Sequence, residues 1–282
     1  MKMKLVFLIT LLCAGALLAA EGNLKIGVVS SLSGEYAAVG EDMRDGIKLA
    51  LEDLKAAGSD VPNIFYEDDQ AQVRLTNVAA RRLYDLKKVD VMITQWTPAA
   101  NVVAPLAEEH KFIQFNTGWD TSVAKNNNWS LVHGGDLGQY AAKSVEAMKL
   151  SGAKRLAIVA LQHLGNKKTI AAAMPLIKEA GIEVVFNEPY PPGVRDFRTY
   201  VLKMREKNPD FVWLLALQPE DQIYLRATKE MGVNWPTTGF FDYMNPEYHK
   251  YIEGMPFPRL YPNKDFVEKF SKKFGRTPQF VE

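Results

Sequence analysis

The sequence predicts an α/β protein of two lobes, each built on a parallel sheet with helices on both faces. Short apolar runs alternate with longer segments of helical period along nearly the whole chain, the pattern of repeated strand–helix–strand units. The alternation stops once, at a glycine-rich break formed by Gly134, Gly135 and Gly138, and then starts again, so it falls into two comparable halves. Of 282 residues, 47% are hydrophobic and 24% charged, which is enough apolar material for two cores.

The first unit runs from Lys25 to Leu54. Its strand, Leu24–Ser30, is a short apolar run bounded by turn residues, as expected for a strand buried on both faces. The loop Ser31–Val39 carries two hydroxyls, Gly34 and Tyr36. Gly40 closes it, and Glu41 and Asp42 open a helix where its dipole favours acids. Met43, Ile47, Leu51 and Leu54 recur at helical spacing and form the expected inner face. A loop between a strand's carboxyl end and a helix amino terminus is where open α/β sheets bind ligands.

The same reading continues in order. Asn63–Asp68 is a strand, Val73–Leu86 a helix, Val89–Thr94 a strand, Pro98–Glu109 a helix and Phe112–Asn116 a strand. Thr97-Pro98 marks a helix start, since Thr caps well and Pro suits the first helical position. Ser130–His133 is a short strand that leads into the break. Beyond it come strand Arg155–Ala160, helix Lys167–Ala180, strand Glu183–Pro189, helix Phe197–Glu206, strand Phe211–Leu217 and helix Glu220–Met231. A short strand near Thr237–Phe240 and a tail helix Lys264–Phe274, stopped by Gly275 and Pro278, complete the chain. The boundaries read as a leader at 1–20, a first lobe at 21–135, a second lobe at 136–257 and a return segment at 258–282. The expected site lies between the lobes.

Met1–Ala20 reads as a secretory signal peptide: Lys2 and Lys4 precede the apolar run Leu5–Leu18, and Ala19 and Ala20 follow. That run is too short and wrongly flanked to span a membrane. The single cysteine, Cys13, lies inside the leader, so the mature chain is expected to be exported, soluble and free of disulfides. Lys+Arg 34 against Asp+Glu 33 leaves a net charge of +1, with no basic stripe, so no nucleic-acid partner is expected. No GxGxxG or GxSxG element is present, and His110, His133, His163 and His249 fall singly, as surface or loop residues. No cofactor, metal or catalytic constellation is expected.

Seven stretches in register resemble the leucine/isoleucine/valine-binding branch of the type I periplasmic binding proteins. They are IGVVSSLSGEYAAVGEDMRDGIKLALEDL, YEDD at 66–69, VDVMITQWTPAANVVAPLAEEHKFIQFNTG at 89–118, KRLAIVALQHLG at 154–165, AGIEVVFNEPYPPGVRDFRTYVLKMREKNPDFVWLLAL at 180–217, KEMGVNWPTTGF at 229–240 and FSKKFGRTP at 270–278. The resemblance implies two Rossmann-like lobes joined by a hinge, a clamshell that captures a small solute. It implies delivery of that solute, an amino acid or related compound, to the permease subunits of an ABC importer at the inner membrane, with the receptor acting as a monomer. Similar chains continue past the FGRTP-like element with a helix and strands that complete the first lobe. This sequence stops at Glu282, inside the return segment, which implies either a fragment of a longer chain or a truncated gene product whose first lobe is left incomplete.

The resemblance also implies a set of contacts. A hydroxyl at the place of Thr97 holds the ligand carboxylate in the family; the alternative for Thr97 is a plain helix cap. Gly118, Trp119 and Asp120 match a second contact loop. Asp120 departs from the usual small or hydroxyl residue, so it either meets a ligand cation or caps the segment Thr121–Lys125. Asp242 stands where amino-acid binders place an acid for the ligand ammonium, and a surface loop acid is its other reading. Tyr36, Trp96 and Trp119 form either an aromatic wall for the ligand or core and lid packing. Leu164 replaces a cleft tyrosine, and Leu217-Gln218 occupies another cleft loop without an aromatic, which weakens the case for a leucine-like ligand. A ligand sensor feeding a membrane receptor, and an exported enzyme, are the competing functions; the missing catalytic motifs count against the enzyme.

Overall fold

The computed structural model describes residues 23–241, 246–258 and 263–278; the leader at 1–20 and Asp242 lie outside them. Two parallel sheets form. The first contains β1 (Lys25–Ser30), β2 (Asn63–Asp68), β3 (Val91–Thr94), β4 (Ile113–Asn116) and β5 (Ser130–Val132), in the order β2-β1-β3-β4-β5. The second contains β6 (Arg155–Leu161), β7 (Glu183–Tyr190), β8 (Phe211–Leu215) and β9 (Thr237–Gly239), in the order β7-β6-β8-β9. The helices are α1 (Ala37–Ala56), α2 (Val73–Arg82), α3 (Thr97–His110), α4 (Leu137–Leu150), α5 (Leu164–Glu179), α6 (Arg198–Lys207), α7 (Glu220–Glu230) and α8 (Lys264–Phe274). A π-helical turn, Leu83–Lys87, extends α2.

The second sheet is covered on both faces. Leu156, Ile158, Phe211, Trp213 and Leu215 pack under α4 and α5, while Ala157, Val159, Val212 and Leu214 pack against Phe197, Val201, Met204 and Tyr224 of the opposite side. All five residues of β8 are buried, which is why it reads as a continuous apolar run rather than an alternation. The first sheet is different. Val29 and Met92 are buried beneath α2, its π turn and α3, but on the other face Ile113 and Leu131 are 41% and 51% exposed.

Among the described residues, α1 and α8 pack against that side. Phe266 of α8 lies 3.6 Å from where a Cβ would stand on Gly46. Arg276, just past α8, pairs with Asp42 and with Asp45 (2.7 Å), and Lys269 reaches Asp53 (2.9 Å).

Two local expectations shift. Helix α1 starts at Ala37, so Gly40 is its fourth residue, and Glu41 and Asp42 lie beyond the first turn. The reason is a close crossing: a Cβ on Gly40 would stand 2.1 Å from the Ser31 carbonyl oxygen, so only glycine lets the helix begin this near β1. The expected inner face is also less buried than its period suggests. Met43, Ile47 and Leu51 are half-buried and Leu54 is 38% exposed, because the sheet face they approach is only partly covered.

Candidate functional site

In a parallel sheet every strand points the same way, so the loops at the carboxyl ends collect along one edge. Here the edges of the two sheets face each other. They enclose a cavity of about 330 Å³, in the range of small-solute sites. Trp96, Thr97, Gly118 and Trp119 line it from the first lobe, and His163, Gly165, Leu217 and Phe240 from the second. Its far end runs beneath α1 to Met43, Ile47, Ile93, Phe115 and Phe266. Tyr36 lines a smaller adjoining cavity, whose walls share Trp96, His163 and Leu217.

The start of α3 is built from a crowded corner. Trp96, not Thr97, holds the cap position, with φ 72° and ψ 147°, and no side chain caps the helix. A non-glycine residue in that region carries roughly 1–3 kcal/mol of strain. Its ring is fixed by neighbours: Nε1 donates to Ser31 Oγ (3.1 Å), Tyr36 meets it edge-on at 5.9 Å, and His163 at 6.3 Å. Ser31 Oγ in turn donates to the buried Asp69 (3.0 Å), which also accepts from Thr76 (2.9 Å). Thr97 is therefore the first helical residue, and the N–H groups of Thr97 and Ala99 have no capping side chain. Pro98 between them has no N–H.

Gly118 closes on this corner. Asn116 brackets it, accepting from Gly118 N at 2.8 Å and donating to Gly118 O at 3.2 Å. A Cβ on Gly118 would stand 2.6 Å from Thr97 N, so a larger residue would push the loop off the helix start. Trp119 is 91% buried: its ring lies under Gly135 and packs on Tyr140 (5.7 Å) and Phe240 (5.4 Å), with part of it reaching the cavity wall.

Asp120 does not line the cavity. Its carboxylate caps the 3-10 turn Thr121–Ala124 through Ser122 N, and it accepts from Asn101 (2.9 Å) and from Lys168 of α5 in the other lobe. Burial opposes its charged form, yet the hydrogen bonds from Lys168, Ser122 and Asn101 outweigh burial and hold the carboxyl below the usual carboxylate range. The pair with Lys168 bridges the lobes, as does a second pair, Glu35–Arg195 (3.4 Å).

Sequence reasoning missed His163. The helix expected from Lys167 starts three residues earlier, at Leu164. In the structure His163 caps α5, and its Nδ1 accepts from Gly165 N at 3.1 Å. Burial keeps the ring neutral, lowering its value to about 4. Asn166 also lines the cavity, with its amide donating to the carbonyls of Leu161 (3.1 Å) and Leu215 (3.0 Å). The wall of the larger cavity thus carries the open amino terminus of one helix, a neutral imidazole, several aromatic rings and one carboxylate, Asp42, which is paired with Arg276. Among the described residues, no group of His, Cys, Asp and Glu could hold a metal ion, and no helix is long and apolar enough to cross a membrane.

Two parallel α/β lobes with a solute-sized cavity between their strand ends define a two-lobed binding protein. A profile described as "Periplasmic binding protein" matches residues 23–282, and the chain belongs to that family. It is 26% identical over 234 residues to the Leu/Ile/Val/Thr-binding protein of Salmonella typhimurium, covering 75% of this chain and spanning 60% of that relative's length. Among solved structures it is similar to a leucine-binding protein of Thermotoga maritima, at a TM-score of 0.79 and 21% identity over 90% of this chain and 77% of that one. It is equally similar to a solute-binding protein from R. palustris in complex with 4-hydroxybenzoate, at a TM-score of 0.78 and 20% identity over 92% of this chain and 76% of that one. The fold is that of the type I periplasmic binding proteins.

Proposed function

We propose that this protein is an exported, non-catalytic receptor that captures a small carboxylate-bearing solute between its lobes and presents it to the permease of an ABC importer. One observation carries the choice of solute: the uncapped start of α3 opens onto a cavity whose other walls are mostly apolar and aromatic. Free N–H groups and the positive helix end suit an anion there, and the rings suit its apolar body. The relatives' printed ligands, amino acids and a hydroxybenzoate, all combine a carboxylate with a body of this kind. Within this class an amino acid needs a partner for its ammonium group. We assign that role to Asp242, following the family resemblance, since Asp120 is already engaged by Lys168.

The experiment is a thermal-shift screen of the mature protein with amino acids, their deaminated acids, benzoates and the matching neutral amides. Carboxylates are expected to raise the melting temperature and amides to leave it unchanged. Stabilisation confined to uncharged or cationic compounds would overturn the proposal. If an amino acid stabilises the protein, Asp242→Ala is expected to remove most of that gain. Export and removal of residues 1–20 are checked by the amino-terminal sequence of protein recovered from the periplasm.

A further inference from the structure

His163 sits directly across the cleft from the start of α3. It is the residue before α5, on the loop that leaves β6, and it lines both cavities. The two helix starts nearly touch: a Cβ on Gly165 would stand 3.0 Å from His163 Nδ1 and 3.5 Å from Thr97 Oγ1. The imidazole edge meets the Trp96 ring at 6.3 Å.

The ring's chemistry follows from its contacts. Nδ1 accepts the Gly165 N–H at 3.1 Å, so Nδ1 carries no proton. A neutral imidazole has one N–H, and it must then be on Nε2. No acceptor for Nε2 occurs among the described residues. As a helix cap, histidine is outperformed by Ser, Thr, Asp or Asn, so capping alone does not account for an imidazole here. A fixed, neutral donor facing an uncapped helix start is suited to an anion.

We propose that His163 is the second lobe's hydrogen-bond donor to the solute's carboxylate, with Nε2–H meeting an anion seated at the Thr97–Ala99 N–H groups. The capping contact at Nδ1 sets the tautomer, and the donor contributes only when the lobes are together, so it favours closure on anionic solutes. This inference rests on the carboxylate reading above and names the residue that reads the anion from the opposite lobe.

Three proteins test it: the parent, His163→Ser and His163→Ala. Serine restores a helix cap but has no group that reaches as far as Nε2; alanine removes both. Each is titrated with benzoate, L-leucine and their amides by calorimetry. The parent is expected to bind at least one carboxylate well above its amide. His163→Ser is expected to melt no lower than the parent without ligand, to weaken that carboxylate by about tenfold or more, and to weaken its amide less, because an amide carbonyl accepts a weaker hydrogen bond than a carboxylate does. Nitrogen-15 spectra of the parent give a readout that needs no variant: Nε2 protonated and Nδ1 not, with the Nε2 proton moving downfield when the carboxylate is added. Unchanged carboxylate affinity in His163→Ser, or an Nε2 signal indifferent to it, overturns the role of His163 alone. Failure of the parent to bind either carboxylate overturns this inference together with the proposed function.

Discussion

Asp221 offers a test of the second lobe's electrostatics in which the sign is as informative as the size. It lies in the first turn of α7, only 2% exposed, with Oδ1 accepting from Gln222 N at 2.7 Å. Burial, helped by the neighbouring Glu220, raises its carboxyl from 3.8 to about 7. In the unfolded chain the ordinary value applies. Below about pH 4 both states hold the proton and Asp221 contributes nothing to the pH dependence. Between about pH 4 and 7 the unfolded chain has lost the proton that the folded one keeps, so stability falls as pH rises. The full penalty is reached above the folded value. A gap of about three pH units, at about 1.36 kcal/mol each, amounts to about 4 kcal/mol.

Asp221→Asn preserves the volume and the acceptor for Gln222 N–H but cannot ionise. The variant is expected to match the parent near pH 4 and to exceed it increasingly toward pH 8. For a chain of this size the excess corresponds to a rise of roughly 8–16 °C in melting temperature. Paired thermal scans from pH 4 to 8 measure it, and proton uptake on folding at pH 6 checks the mechanism independently. A constant difference across that range, or a variant less stable than the parent at pH 8, would refute the reasoning.

Asp120→Ala severs the bridge to Lys168 and is expected to cost about 2 kcal/mol at pH 7; Lys168, a third exposed, can regain water and keeps the loss below that of a fully buried pair. Because its folded value is depressed, this contribution is present at neutral pH and disappears as pH falls below the ordinary carboxylate range, so parent and variant stabilities measured by thermal unfolding should converge in acid. Gly118→Ala places a methyl 2.6 Å from Thr97 N; loss of the carboxylate-induced thermal shift, with a stability cost above 1 kcal/mol, is the expected result, and a normal shift would show that the corner can yield. Arg276→Ala leaves the 97% buried Asp42 without that counter-charge and is expected to destabilise by about 3 kcal/mol; Asp42→Asn in the same background should recover part of it, as urea unfolding can measure.

What the sequence determined by itself lies in short-range pattern. The apolar runs read as Leu24–Ser30, Arg155–Ala160 and Phe211–Leu217 are buried parallel strands at Lys25–Ser30, Arg155–Leu161 and Phe211–Leu215, and the last strand of the first sheet ends at Val132, just before the glycine-rich stretch. Thr97-Pro98 marked the start of α3 to within one residue, and Gly118, Trp119 and Leu217 were found near the cleft from the loops that carry them. Everything decided by pairing between distant elements was out of reach. Asp120 could meet a ligand cation or cap a turn until Lys168, on the other lobe, took its second oxygen. Trp96 reads as one more aromatic until Ser31, Tyr36 and His163 are seen to hold its ring beside a backbone at φ 72°. His163 looked like a loop histidine because nothing beside it in the chain reveals its burial. The physical reason is the same in each case. Helices and strands follow from neighbours in sequence, whereas a side chain's charge state, partners and exposure are set by the groups folding brings within a few ångströms of it, and here those groups come from both lobes.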